Sequence, residues 1–169
     1  MKADAEQRLQ ILEDREKIKE LRATYCFLVD DGRMEELVAT CFTEDAVCDF
    51  KSPDGSMQPF LSRGRAEVRN FYTAVVPSVL RNMTHTVHNH RITVSGDSAS
   101  GDCYFELTAS DASTGKDVVG AGRYVDRYRR VGDGWRFEFR KAEIFYITAL
   151  AEGWSKRRFL PSLSSGGQQ

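Results

Sequence analysis

The sequence predicts an α+β fold, in which helices come first and a long antiparallel sheet follows. Apolar residues recur at the three-, four- and seven-residue spacing of amphipathic helices through roughly the first eighty positions. The later half of the chain instead has the pattern of four strands joined by short turns, which is typical of neighbouring antiparallel strands. At 169 residues, the chain is long enough for one domain with a full core.

Three helices are predicted in the first half. The first should end near Gly32, because glycine readily takes the left-handed conformation that closes a helix. The third should cover 65–80, with Pro77 ending or kinking it. The apolar faces are Leu12, Ile18, Leu21, Tyr25 and Leu28 in the first helix, Met34, Leu37, Val38 and Cys41 in the second, and Val68, Phe71, Tyr72, Val75 and Val79 in the third.

Turn-like segments separate the predicted strands. A short strand follows the second helix, and four long strands are bounded by the sequences SGD, SDASTGK and GDG. The tail SLSSGGQQ has the composition of a flexible segment. The predicted strands lie within 42–50, 83–94, 98–109, 118–131 and 135–148.

Composition excludes several classes of protein. The formal net charge of −1 gives no electrostatic basis for holding nucleic acid or an anionic membrane. The chain has no run of about eighteen apolar residues that could span a membrane, and its charged N-terminus lacks an apolar signal segment. Its four cysteines have no CxxC spacing and lie in apolar runs, which predicts a reducing, cytoplasmic location.

All three histidines lie in the segment NMTHTVHNH, within a predicted strand. Because side chains alternate along a strand, His85 should face opposite to His88 and His90 unless a bulge intervenes. The last two could then form a metal pair, but a zinc or iron site needs a third protein ligand. Asp102 or Glu106 on the next strand offers one without convincing spacing, so no metal is predicted.

The segment REKIKELRATYCFLVDDGRMEELVATCFTEDAV, at 15–47, resembles the opening of the SnoaL-like group of the NTF2-like superfamily. The later DGWRF turn is also similar. This resemblance implies a cone in which a curved antiparallel sheet wraps around the N-terminal helices. It implies a domain at 1–150, followed by a C-terminal extension at 151–169 that is partly flexible. Homo-oligomers are common in the group, with a trimer favoured and a dimer as the alternative.

Within the group, the chain is most similar to cofactor-free lyases: bile-acid 7α-dehydratases, scytalone dehydratase and hexachlorocyclohexane dehydrochlorinase. By position, Asp30 and His85 match their Asp–His pair, and Tyr25 matches a tyrosine that lines the dehydratase pocket. Two charged groups of the bile-acid enzymes have no clear counterpart, since they align near Leu107 and Ile144. A neutral imidazole suits proton abstraction, and a carboxylate bonded to it fixes the tautomer.

Other candidates come from the residues themselves. Asp31 competes with Asp30, because adjacent helical positions lie about 100° apart and one of the two should face inward. Arg140 could hold an anionic or carbonyl group, or form an exposed ion pair, since its parity matches both Glu138 and Ala142. Aromatic residues on the strands complete the candidate substrate-binding set, with core packing as their alternative role: Tyr104, Tyr124 and Phe137.

The function expected from these residues is a cofactor-independent lyase, acting by dehydratase-type β-elimination, or an isomerase. Its substrate would be a small hydrophobic molecule, with a polycyclic or steroid-like one as an option. Two alternatives stay open. One is a ligand-binding module without turnover, and the other is a small-subunit partner such as the β subunit of a ring-hydroxylating dioxygenase.

Overall fold

The computed structural model describes residues 2–165. The three predicted helices are present, and the third contains a π-helical turn before its last α-helical turn. Pro77 lies inside that last turn; a regular α-helix could not pass it unchanged, because proline has no N–H for the carbonyl four residues earlier. None of the helices in this part of the chain is long and apolar enough to cross a membrane. The bounds are Lys2–Asp30 for α1, Met34–Cys41 for α2, Gly64–Asn70 for α3, Phe71–Val75 for the π-helical turn and Val76–Val79 for α4.

The end of α1 is closed by glycine, as predicted. Gly32 has a φ of +71°. Its N–H donates to the carbonyl of Val29, and the N–H of Arg33 donates to the carbonyl of Leu28. These two bonds form a Schellman motif, which fixes Asp30 in the last turn of the helix.

Six strands form one curved, open sheet in the order β2-β1-β6-β5-β4-β3. The four long predicted strands are β3 to β6, and they pair antiparallel in sequence order. β1 pairs parallel with β6 and antiparallel with β2, an edge strand too short to show a period in the sequence. Helix α1 packs mainly against β3 and α2, with a smaller contact on β6. The bounds are Phe42–Lys51 for β1, Phe60–Arg63 for β2, Leu80–Ser95 for β3, Ser98–Asp111 for β4, Asp117–Val131 for β5 and Gly134–Ala149 for β6.

A bulge in β3 decides which way the histidines face. The register with β4 shifts between His88 and Arg91, and Asn89 there has a φ of +57°. The extra residue moves the following side chains to the other face of the sheet. His90 therefore faces α1, as His85 does, while His88 lies on the outer face beside Tyr104. The prediction that His88 and His90 share a face is wrong for this reason, and the two cannot form a metal pair.

The division of the chain at residue 150 stays a prediction. The segment that follows β6 packs back on the domain, because the N–H of Ile147 donates to the carbonyl of Arg158 and the N–H of Leu160 donates to the carbonyl of Ile147. Of the tail predicted to be flexible, 162–169, the last four residues lie outside the described part of the chain. Three apolar side chains of the C-terminal segment are buried in the core: Phe159, Leu160 and Leu163.

Candidate active site

Asp30 and His85 are held together by two contacts. The backbone N–H of His85 donates to Oδ2 of Asp30 over 2.8 Å, and Nδ1 of the imidazole lies 2.5 Å from Oδ1 of the same carboxylate. The helix end positions the carboxylate, and β3, as an edge strand, supplies the free N–H. The side chains of His85 and Asp30 are only 7% and 18% exposed. Asp31 is exposed, so of the two candidates only Asp30 reaches the histidine.

This contact defines the state of the imidazole. A carboxylate can only accept hydrogen bonds, so Nδ1 of His85 carries the proton that faces Asp30. In the neutral ring, Nε2 is then the nitrogen with a free lone pair. Because His85 lines the largely apolar cavity described next, that lone pair is available to a molecule bound there.

A cavity of about 90 Å³ lies between α1, the third helical region and the sheet. Sixteen of its twenty lining residues are apolar, and one of them, Leu163, comes from the C-terminal segment. Among the described lining residues, none has a permanently charged side chain. Those with a hydrogen-bonding side chain are Tyr25, Tyr72, His85 and Tyr124.

Two of these tyrosines form a pair. The hydroxyls of Tyr25 and Tyr72 lie 3.0 Å apart, and both side chains are buried. Burial raises the pKa of Tyr25 to about 12, and the pKa of Tyr72 is also raised well above its usual value by burial. Both hydroxyls therefore stay protonated near neutral pH. Only one proton is needed for the bond between them, so the other is available to a bound molecule.

Arg140 is fully buried behind the cavity. Its guanidinium carbon lies 3.6 Å from the ring centre of Tyr124 and 3.9 Å from that of Tyr25. Both roles expected from the sequence, contact with a ligand and an exposed ion pair, are wrong. Arg140 and Ala142 lie on the same face of the sheet, as expected, and Ala142 lines the cavity. A register shift in β6 between Phe137 and Phe139 places Glu138 on the opposite face.

Two further candidates also lie away from the cavity. Phe137 is completely buried against Tyr25, 5.8 Å between ring centres, and is a core residue that does not line the cavity. Tyr104 is 42% exposed on the outer face of the sheet. It lies there because its neighbours in β4, Cys103 and Phe105, face the core, and side chains alternate along a strand. Neither residue can contact a molecule in the cavity.

A buried polar network was missed by the sequence analysis. Arg22 is fully buried, and its Nε donates to the hydroxyl of Tyr128 over 2.7 Å. That hydroxyl donates to Asp126 over 2.8 Å, and Oδ2 of Asp126 lies 3.7 Å from both Arg22 and Arg140. The available signal was the position of Arg22, which follows Ile18 by four residues and precedes Tyr25 by three on the apolar face of α1.

His90 is the outer end of this network. Its Nδ1 lies 2.8 Å from Nη1 of Arg22. A guanidinium only donates, so Nδ1 of His90 accepts and the ring is neutral in this arrangement. Burial, and then the positive charge of Arg22, lower the pKa of His90 below its ordinary 6.5.

We expect His90 to make the protein less stable in mild acid. Below pH 6.5 the unfolded chain binds a proton that the folded chain resists, so the free energy of unfolding falls as the pH drops toward the lowered pKa. The variant His90→Gln, whose amide oxygen can still accept a hydrogen bond from Arg22, should lose this fall in the free energy of unfolding. Urea unfolding between mildly acidic and neutral pH measures it, with His88→Gln on the outer face as the matched control. An unchanged pH dependence in His90→Gln would contradict the assignment.

The sequence profile of the SnoaL-like domain matches residues 10–141, and the chain belongs to that family. The predicted α+β, NTF2-like fold is confirmed by solved structures. A proposed scytalone dehydratase from Novosphingobium aromaticivorans is 22% identical, with a TM-score of 0.70, and the match covers 82% of this chain and 88% of the other. The hexachlorocyclohexane dehydrochlorinase LinA-type3 from Novosphingobium barchaimii is also 22% identical, with a TM-score of 0.70 and coverage of 83% and 92%.

A third similar structure carries a different description. It is a proposed aromatic ring hydroxylase from Novosphingobium aromaticivorans, 27% identical, with a TM-score of 0.68 and coverage of 83% and 96%. A comparison with proteins of curated function finds no match. The chain therefore shares its fold with dehydratase and dehydrochlorinase structures, and membership of the family supports a role in catalysis or ligand binding.

Proposed function

We propose that the chain is a cofactor-independent lyase or isomerase that removes a proton from a small, largely apolar molecule. The observation that carries the proposal is the contact of 2.5 Å between Nδ1 of His85 and Asp30 beside an apolar cavity. In this pair, His85 is the base, and Asp30 fixes its tautomer and stabilises the imidazolium that forms. Tyr25 is the proposed hydrogen-bond donor to the substrate.

The lining of the cavity restricts the course of the reaction. Among the described lining residues, His85 is the side chain that can accept a proton from a bound molecule, because the tyrosines hold their own protons. A proton that His85 removes must then be returned by His85. In a dehydration it would go to the departing hydroxyl, and in an isomerisation to another carbon. Either way, both positions must lie on the same face of the substrate.

The size of the cavity restricts the substrate. At about 90 Å³, it is well below the ~300 Å³ at which pockets for drug-sized ligands begin. We therefore propose a substrate with a short chain or a single ring. A polycyclic or steroid-like molecule would need the surrounding side chains to move apart.

The test is turnover in heavy water. We expect the wild-type protein to release water from, or exchange deuterium into, members of a panel of small β-hydroxy ketones and cyclic enones, followed by NMR. His85→Gln should lower the rate about 10²–10⁴-fold, the usual contribution of a general base. Stereospecific labelling should show removal and return on one face. Equal rates in the two proteins, or binding of panel members with neither water release nor exchange, would reject the enzyme and leave a ligand-binding module.

The similar structure described as an aromatic ring hydroxylase supports a second candidate, a small-subunit partner of a larger oxygenase. In that case the outer face of the sheet would be the functional surface. Co-purification from a source that contains a large oxygenase subunit tests whether the chain forms a complex with that subunit. A chain that exchanges protons when purified alone would exclude it.

We also propose a homo-oligomer, with a trimer favoured over a dimer. Large apolar side chains on and beside the outer face support it, since Tyr104, Phe145 and Trp154 are 42%, 38% and 54% exposed. Light scattering during gel filtration measures the mass, and a monomer at micromolar concentration would reject the proposal. A cytoplasmic location is likewise proposed, supported by four buried cysteines that form no disulfide.

A further inference from the structure

Arg140 is an unusual residue to bury where it lies. Its side chain is completely inaccessible, and none of its three side-chain nitrogens has a hydrogen-bond partner among the described residues. Aromatic rings surround the guanidinium instead, those of Tyr25, Tyr124 and Phe137, at 3.9, 3.6 and 4.3 Å from the guanidinium carbon to the ring centres. Burying a cation without hydrogen bonds is unfavourable, and an apolar side chain could fill the same volume.

The nearest negative charge does not neutralise this cation fully. Asp126 lies 3.7 Å away, which is too long for a hydrogen bond, and the same oxygen is equally far from Arg22. Two guanidiniums thus share one carboxylate. The cluster keeps a net positive charge, in a buried region where electrostatic interactions are screened much less than in water.

The rings that contact Arg140 connect it to the cavity. Tyr25 and Tyr124 have the cation against one face of the ring, and both residues also line the cavity. A cation over a phenol ring withdraws electron density from it, which strengthens its hydroxyl as a hydrogen-bond donor. The hydroxyl of Tyr25 is further coupled to that of Tyr72 at 3.0 Å, so the two act as one donor unit.

We propose that Arg140 is a positioning residue that acts through the ring of Tyr25: it prepares the Tyr25–Tyr72 hydroxyl pair to stabilise a negatively charged oxygen in the cavity. This inference rests on the proposed function and narrows its substrate to carbonyl compounds. A leaving halide requires no such donor. The enolate formed beside a carbonyl does, because charge develops on its oxygen.

The chemistry of this substrate class balances with the groups present. His85 takes the proton from the carbon next to the carbonyl. The electron pair of that C–H bond becomes the enolate double bond, and the carbonyl pair moves onto oxygen, which accepts a hydrogen bond from the tyrosine pair. When the enolate collapses, its β hydroxyl leaves, takes the proton back from the imidazolium and departs as water.

A binding experiment tests the role of Arg140 without turnover. The probes are 2,6-difluorophenolate, at an alkaline pH where Tyr25, with its pKa of about 12, is still protonated, and the uncharged isostere 1,3-difluorobenzene. We expect the wild-type protein to prefer the phenolate. Arg140→Met should weaken phenolate binding about tenfold, with difluorobenzene binding changed less than about twofold. Arg140→Lys should recover most of the loss, because it restores the charge. Fluorine NMR and calorimetry report both affinities.

Further variants protect this test from a failure to fold. Tyr25→Phe keeps the ring over Arg140 but removes the hydroxyl, and it should lose the phenolate preference as well. The inference is overturned if Tyr25→Phe and Tyr72→Phe both keep that preference, if Arg140→Met weakens both probes equally, or if the wild-type protein prefers neither or binds neither. Phenolate preference in a protein without turnover would reject the lyase and leave the donor pair in place.

Discussion

Asp30→Asn is expected to lower the rate of proton abstraction about 10²–10⁴-fold while the protein stays folded. The carboxylate of Asp30 accepts two hydrogen bonds, one on each oxygen, from the backbone N–H and Nδ1 of His85. An asparagine has one accepting oxygen. If that oxygen keeps the backbone bond, its amide N–H₂ faces Nδ1, and the imidazole must then carry its proton on Nε2, where the base is needed.

The neighbouring residue supplies the control for this variant. Asp31→Asn makes the same chemical change at an exposed position one residue further along. Steady-state kinetics with the substrate found in the exchange panel should show the loss in Asp30→Asn alone. Thermal unfolding of both variants shows whether the fold is retained. Comparable rates for Asp30→Asn and the wild-type protein would remove Asp30 from the mechanism.

Asp126→Asn is expected to produce the largest loss of stability, about 3–5 kcal/mol in the free energy of unfolding. Asp126 is fully buried and is the only carboxylate that forms an ion pair with Arg22 or Arg140 among the described residues. The substitution keeps the volume but removes the charge, which leaves two buried guanidiniums without a counterion. Without a negative partner, nothing offsets the cost of removing the two guanidiniums from water, so the folded state becomes less favourable.

Urea unfolding measures this loss, and an exposed ion pair provides the comparison. Asp97 pairs with Arg130 over 2.9 Å, but its side chain is 84% exposed. Asp97→Asn should leave stability nearly unchanged, because solvent screens the pair and little burial is lost. If Asp126→Asn is no more destabilising than Asp97→Asn, the buried cluster does not depend on its carboxylate.

The main elements of the fold could be predicted because they follow simple periods. Amphipathic spacing identified α1 and α2, and Gly32 marked the end of α1. The position of Asp30 beside His85 came from the family resemblance, since 55 residues separate the two and no local rule joins them. The helix end and the edge strand that bring them together are properties of the folded chain.

Two of the errors, those on the faces of His90 and Arg140, have a common physical cause. Alternation along a strand was assumed to continue unbroken, and a bulge at Asn89 reverses it before His90. A register shift in β6 likewise places Glu138 and Arg140 on opposite faces of the sheet. Bulges depend on sheet curvature, which a sequence period does not show. Tyr72 was placed correctly on an apolar helix face, but its hydroxyl contact needed the third dimension.

The asparagine in the left-handed conformation near the middle of β3 has a consequence for how relatives should be compared. If this bulge flattened while every residue was kept, strict alternation would return and every later side chain of the strand would exchange core for solvent, whereas deletion of Asn89 itself would leave His90 and Ile92 on their present face. The number of residues in this strand therefore carries as much information as their identity. In an alignment with a relative that lacks the bulge, a gap opposite Asn89 keeps His90 and Ile92 aligned with inward-facing residues, whereas a gap placed after Ile92 aligns both with outward-facing ones, so gap placement should follow the backbone conformation.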